Sequence, residues 1–171
     1  TVTGCADMAP LLDALALAQS AHRRAWSYLD DARAQLRAGT PIEPGLRTLI
    51  DTHLGSPSDA DLLVMLDDFG SLQSDLLTWH ADHTYVCAPA RDCPAGALAF
   101  DDRRVYHGGS VSARRRRGSR DPRICAAFFA LGTDDRARAA HVLVALSFGD
   151  SYLLRPDSVF GYAALALAIY R

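Results

Sequence analysis

Residues 84–106 read TYVCAPARDCPAGALAFDDRRVY. Three short extended pieces stand out in them: Tyr85-Val86-Cys87, Ala97-Leu98-Ala99-Phe100 and Arg104-Val105-Tyr106. Asp101-Asp102 supplies a tight turn between the last two, which reads as a hairpin. Upstream the pattern is different. Leu12, Leu15, Ala18, His22, Trp26, Leu29, Ala32 and Leu36 recur every three or four residues, one apolar stripe of a long helix that Gly39 and Pro41 stop. A short helical piece follows over Pro44 to His53. After the break at Gly55-Ser56-Pro57, Ser58 is placed as an N-cap with Asp61 in the first turn. Leu62, Leu63, Leu66, Phe69, Leu72, Leu76 and Trp79 then mark a second long amphipathic helix, so residues up to about 80 form a helical lobe.

Downstream of the hairpin, Gly108 to Arg120 reads as a loop carrying Arg114-Arg115-Arg116-Arg117. Ile124 to Leu131 is an apolar segment, a strand running into a turn. Thr133 reads as the N-cap of a helix whose first turn holds Asp134 and Asp135, and Asp157-Ser158 opens a last apolar helix to about Ile169. The whole chain is expected to be one α+β domain over residues 1–171: a helical lobe, a small antiparallel sheet and C-terminal helices. There is no internal repeat and no long low-complexity linker.

Composition narrows the function classes. The chain has 171 residues, 49% hydrophobic and 22% charged, with 18 bases against 20 acids and a net charge of -2. Those values fit a globular domain and argue against a generally cationic nucleic-acid binder. Every base is arginine, and neither lysine nor asparagine occurs, which reads mainly as a GC-rich coding bias. No run of about 18 apolar residues exists to span a membrane, so no membrane partner is expected. Residues 1–20 lack the basic start and apolar core of a signal peptide, so any such leader has already been removed. Cys5, Cys87, Cys93 and Cys125 are even in number and widely dispersed, without the C-x2-C pairs of zinc sites. Two disulfides in an exported protein follow, and spacing leaves all three pairings open.

Motifs for nucleotide binding or a serine nucleophile are missing: there is no G-x-G-x-x-G, no P-loop lysine and no G-x-S-x-G. His80 and His83, at i and i+3, either share a helical face as metal ligands or form a polar helix end beside the last carbonyls. The arginine run, extended by Arg120 and Arg123, either grips an anion or is a solvated loop. Asp150, Tyr152 and His141 offer acid, base and hydrogen-bonding groups.

The order of the pieces resembles the aspzincin metallopeptidases, the family of deuterolysin and the peptidyl-lysine metalloendopeptidases. Gly4-Cys5 heads a long helix, a second helix precedes Tyr85-Val86-Cys87 and Cys93, Ile124-Cys125-Ala126-Ala127-Phe128-Phe129 precedes the helix bearing His141, and Pro156-Asp157-Ser158 stands near the end. The resemblance spans nearly the whole chain, though each piece is short. It implies a zincin-like fold, secretion or periplasmic export, and disulfides Cys5–Cys87 and Cys93–Cys125. The catalytic set departs from the family. Where the family has H-E-x-x-H, this chain has His141-Val142-Leu143-Val144-Ala145. His141 matches the first zinc ligand, Val142 replaces the general base and Ala145 replaces the second ligand. Asp150 falls too early to match the third.

Catalytic zinc generally needs three protein ligands and an open position. Losing the base alone typically costs about 10²–10⁴ in rate. The expectation is therefore a zincin-fold protein with no metal or other cofactor and no peptidase activity, binding a peptide or small molecule in the residual cleft. The alternative is a metal-independent enzyme using His141 with Asp150, Tyr152 or Asp157.

Overall fold

The computed structural model describes residues 2–71, 73, 84–114, 121–148 and 156–171. His80, His83, Arg115, Arg116, Arg117, Arg120, Asp150 and Tyr152 lie outside these residues, as does the end of the second long helix expected from the sequence. The fold is α+β, as the patterning implies. Its helices are α1 (Ala9–Arg37), α2 (Pro44–Leu54), α3 (Asp59–Ser71), a one-turn α4 (Ala126–Phe129), α5 (Thr133–Phe148) and α6 (Pro156–Tyr170). The strands are β1 (Val2–Thr3), β2 (Tyr85–Cys87), β3 (Ala99–Phe100), β4 (Arg104–Tyr106), β5 (Val111–Ala113) and β6 (Arg123–Ile124).

Helix α1 buries Leu11, Ala14, Leu15, Ala18, Ala21, His22, Ala25, Trp26, Leu29 and Ala32, the face that the stripe marks except at Leu12, which is exposed. Its main partners are α5 and α6 rather than the neighbouring α2 and α3. The N-terminal helices and the C-terminal helices thus come in the expected order, and residues from both ends of the chain share one core. Sequence neighbours could not show this, since a stripe tells which face is buried and not what covers it. Caps follow the expected chemistry with one shift. Ser58 Oγ accepts from Asp61 N at 3.2 Å and donates to Asp61 Oδ2 at 2.6 Å. Glu43 caps α2 by accepting from the Gly45 and Leu46 amides. Thr133 already lies within α5, and the first turn closes on the Gly132 carbonyl.

The sheet has the order β1-β2-β6-β3-β4-β5. It is mixed, not antiparallel as expected: β1 and β6 both run parallel to β2, while β3 pairs antiparallel with β6 and β4, and β4 with β5. Two residues at the N-terminus were too short a run to read as a strand, and the Cys5–Cys87 bond fixes them beside β2. Strand β5 likewise falls inside the segment expected to be loop, and the apolar run after Ile124 becomes α4 instead of continuing as strand. Short apolar runs carry no period that tells one from the other.

One sheet face, with Tyr85, Ala99, Tyr106 and Ile124, packs on the helical core. The other face carries a small second cluster of Ala97, Phe100, Val105 and Cys125 with Ala88 and Cys93. The second disulfide, Cys93–Cys125, lies in that cluster, and no cysteine is left free. The two bridges close loops of 82 and 32 residues. Non-reducing peptide mapping should recover these two pairs, and replacing both Cys93 and Cys125 by Ala should cost about 3–4 kcal/mol in urea unfolding. Free thiols or a Cys87–Cys93 bridge would contradict the topology.

Close approach of α2 and α6 is set by Gly161, where an added Cβ would press on the His53 carbonyl oxygen and lie 3.1 Å from Leu54 Cδ2. A backbone carbonyl cannot swing aside. Gly161→Ala is expected to lower stability by about 1–3 kcal/mol, whereas Gly132→Ala, which meets nothing within 4 Å, should change it little.

Candidate functional site

Three polar side chains meet where α1, α5 and α6 cross: His22, His141 and Tyr162. The imidazole of His22 and that of His141 lie 5.4 Å apart, centroid to centroid, in an edge-on arrangement. The Tyr162 ring sits 5.6 Å from His22 and 5.2 Å from His141, and stacks on Phe69 at 4.0 Å. One hydrogen bond, 2.9 Å between Tyr162 Oη and His22 Nδ1, ties α6 to α1. The Nε2 atoms of His22 and His141 are both buried, with no hydrogen-bond partner among the described residues. The sequence marks His22 only as a polar member of an apolar stripe, and Tyr162 only as a polar member of a nearly uniform apolar helix. Neither pattern signals that they converge on His141.

His141 is 2% exposed. Its helix is sheathed on every side at that level, so Val142, Leu143, Val144, Ala145 and Leu146 are buried too. Both imidazoles are held neutral. Burial pushes His22 down to about 4. Burial, with the neighbouring His22 adding to it, pushes His141 well below its ordinary value. Burial also pushes the Tyr162 phenol up. No carboxylate enters among the causes of these shifts.

The zinc implied by the family resemblance does not fit these residues. The described donors are two neutral imidazoles and a phenol already bonded to one of them. Among the described residues no three His, Cys, Asp or Glu side chains are grouped to hold a metal ion. Val142 and Ala145 bring no donor, and desolvating a dication needs anionic or multiple ligands. Asp157, at the start of α6, is exposed and takes no part.

A surface groove of about 350 Å³ lies elsewhere, along the Cys5–Cys87 bond. Pro10, Ile124, Ala126 and Phe129 give it an apolar lining, and Asp7 supplies its one charge. His141 does not line it. Asp7 is partly engaged, since its Oδ1 accepts from the Ala9 amide at 3.0 Å. Near the hairpin, Asp101 is buried and its carboxylate is consumed by the turn: Oδ1 accepts from the Arg103 and Arg104 amides at 2.7 Å, and Oδ2 accepts from Tyr106 Oη at 2.6 Å. Arg104 reaches the Leu146 carbonyl near the C-terminal end of α5, where the helix dipole favours a cation.

Comparison with protein-family models, with curated proteins and with solved structures finds no match.

The histidine pair makes the core acid-sensitive. Unfolded histidines take up protons below about 6.5. The folded pair refuses them until far lower pH, so stability is full above that value and falls as pH drops towards 4. His22 alone accounts for about 3 kcal/mol of that fall. Urea unfolding at a series of pH values should show the decline. His141→Leu should make it shallower, and an unchanged slope in that variant would place the acid sensitivity in other groups.

Proposed function

We propose that this chain is an exported protein of aspzincin-like ancestry that has lost peptide hydrolysis and acts as a binding module. The observation that carries the reading is the burial of His141 among apolar neighbours, with Val142 and Ala145 sealed beside it. Hydrolysis needs a base within hydrogen-bond reach of a water at an accessible carbonyl. Here the residue aligned with that base is a valine and the one aligned ligand faces the core. Ligand binding therefore falls to the surface, where a peptide or small molecule needs only shape and a few polar groups. Two disulfides support placement in a secreted or periplasmic compartment, and no described helix is long and apolar enough to cross a membrane.

One observation favours the second reading, a metal-independent enzyme. Two buried imidazole nitrogens without partners are the kind of unsatisfied polar groups that accompany acid–base sites. Asp150 and Tyr152, the other groups of that reading, lie outside the described residues.

Elemental analysis after dialysis, with a peptidase assay at lysyl and other bonds with and without added zinc, tests the proposal. The expected result is no stoichiometric zinc and no cleavage. About one zinc per chain with chelator-sensitive cleavage would overturn it. Turnover of a small molecule by metal-free protein, abolished in His141→Ala, would establish the second reading instead.

A further inference from the structure

We infer that the groove along the Cys5–Cys87 bond is a binding site for a small hydrophobic amine, whose apolar body lies against Pro10 and Phe129 and whose ammonium pairs with Asp7. This rests on the binding-module reading and names its ligand class.

The groove is already built in the free protein. Strand β2 lies between β1 and β6, and all three run parallel. The chain leaving β1 (Cys5 to Pro10) and the chain leaving β6 (Ala126 to Phe129) therefore flank the chain leaving β2 (Cys87 and Ala88). Each part is held in place. Cys5 is bonded to Cys87, and Cys125, at the head of α4, is bonded to Cys93. The Phe129 ring packs edge-on against the buried Phe128 ring at 5.5 Å, and Arg136 Nη1 donates to the Phe129 and Leu131 carbonyls. Walls fixed this way have little freedom left to lose on binding. The topology also keeps the groove clear of the described ends of the chain. Thr84 and Asp121 lie before β2 and β6, at the end of the sheet opposite the groove. Helix α5 starts beside α4 and carries the chain about 24 Å away over its 16 residues, to Phe148.

Size, lining and charge name the ligand. A groove of about 350 Å³ holds roughly a dozen non-hydrogen atoms at the ~30 Å³ that one liquid water takes. That is at the small end of the range for small-molecule sites. Aliphatic carbon, a disulfide and one aromatic ring make up most of the lining, so the body of the ligand is apolar. Asp7 is the one charged residue among the lining side chains. Its Oδ1 accepts from the Ala9 amide, and among the described residues no cation forms an ion pair with it. Its Oδ2 is thereby left for a donor on the ligand. An anion is disfavoured, because the start of α1 has spent the Ala9 amide on Asp7 and Pro10 has no N–H, and no arginine lines the groove. A neutral apolar molecule would strip water from the carboxylate and return no partner. A protonated amine on an apolar body meets both conditions.

The test is a titration of isotope-labelled protein, followed by its amide chemical shifts, with phenylbutylamine, phenylbutanol and phenylbutyrate. The three probes share one apolar body and differ in charge. The amine should move the amides of Ala6, Asp7, Ala88 and Ala126. It should bind about threefold to tenfold more tightly than the alcohol, an advantage that shrinks as salt rises, and the butyrate should bind most weakly. Asp7→Asn keeps an acceptor for the Ala9 amide and removes the charge. It should bring the amine to the affinity of the alcohol and leave the alcohol unchanged. Ala126→Phe, at an exposed position, puts a ring into the groove and should abolish the shifts for both, with thermal unfolding confirming that the two variants fold. Equal affinity of amine and alcohol, full amine affinity in Asp7→Asn, or the absence of shifts at the groove would overturn the inference. Mass spectrometry of the recovered amine separates this inference from its premise. A changed mass contradicts the binding-module reading, whereas intact amine without shifts at the groove contradicts only this site.

Discussion

The close seam between α1 and the C-terminal helices constrains everything else in this fold. It is made of small residues: Ala14, Ala18, Ala21, Ala25 and Ala32 are all buried along one side of α1. On the opposing helices Ala137, Ala140, Ala163 and Ala166 are buried as well. Alanine lets helix axes approach nearer than Leu or Phe would, and interior packing leaves no gap to absorb a mismatch. Among the longer side chains buried between these helices, the rings of His22, His141 and Tyr162 lie 5.2–5.6 Å from one another. The polar trio is thus a consequence of how the seam is filled.

That placement decides which side chains the helix around His141 can carry. A glutamate at position 142 or a second histidine at 145 would now be enclosed by apolar neighbours, where an unpaired charge costs far more than one exposed to water. Valine and alanine fill the same places and contribute packing instead. His141 is a neutral ring packed edge-on against the rings of His22 and Tyr162. Such contacts are worth about 0.5–1.5 kcal/mol beyond area burial, comparable with the cost of leaving one imidazole nitrogen unbonded. The helix around His141 is an interior strut.

Much of the fold was legible because burial leaves periods. The stripe from Leu12 to Leu36 marks α1, Ser58 marks the start of α3, and Asp101-Asp102 marks the hairpin turn. What was not legible depends on distant partners. Val2-Thr3 is a strand only because β2 lies beside it, and β6 runs parallel to β2 only because the chain returns past residue 120. The same limit applies to the candidate site. His141 stood out in the sequence through a resemblance, but its enclosure depends on α1, more than a hundred residues away. His22 could be seen to lie on a buried face, and the sequence held no statement of what it would face.

The distribution of polar groups then shows where this protein can still interact. The helical interior is closed, one sheet face is spent on that interior, and the opposite face is covered by the cluster around Phe100 and the Cys93–Cys125 bond. Backbone groups left over in such a sheet are those of its two edges. The β1 edge is two residues long, is held by the Cys5–Cys87 bond and borders the apolar groove, so its open ladder is minimal. The β5 edge is one residue longer and sits in the segment where almost all the positive excess of the chain is collected. A net charge of -2 conceals this, because residues 103–123 sum to +7 and the rest of the sequence to -9. Backbone groups at a sheet edge offer recognition that needs no cavity at all.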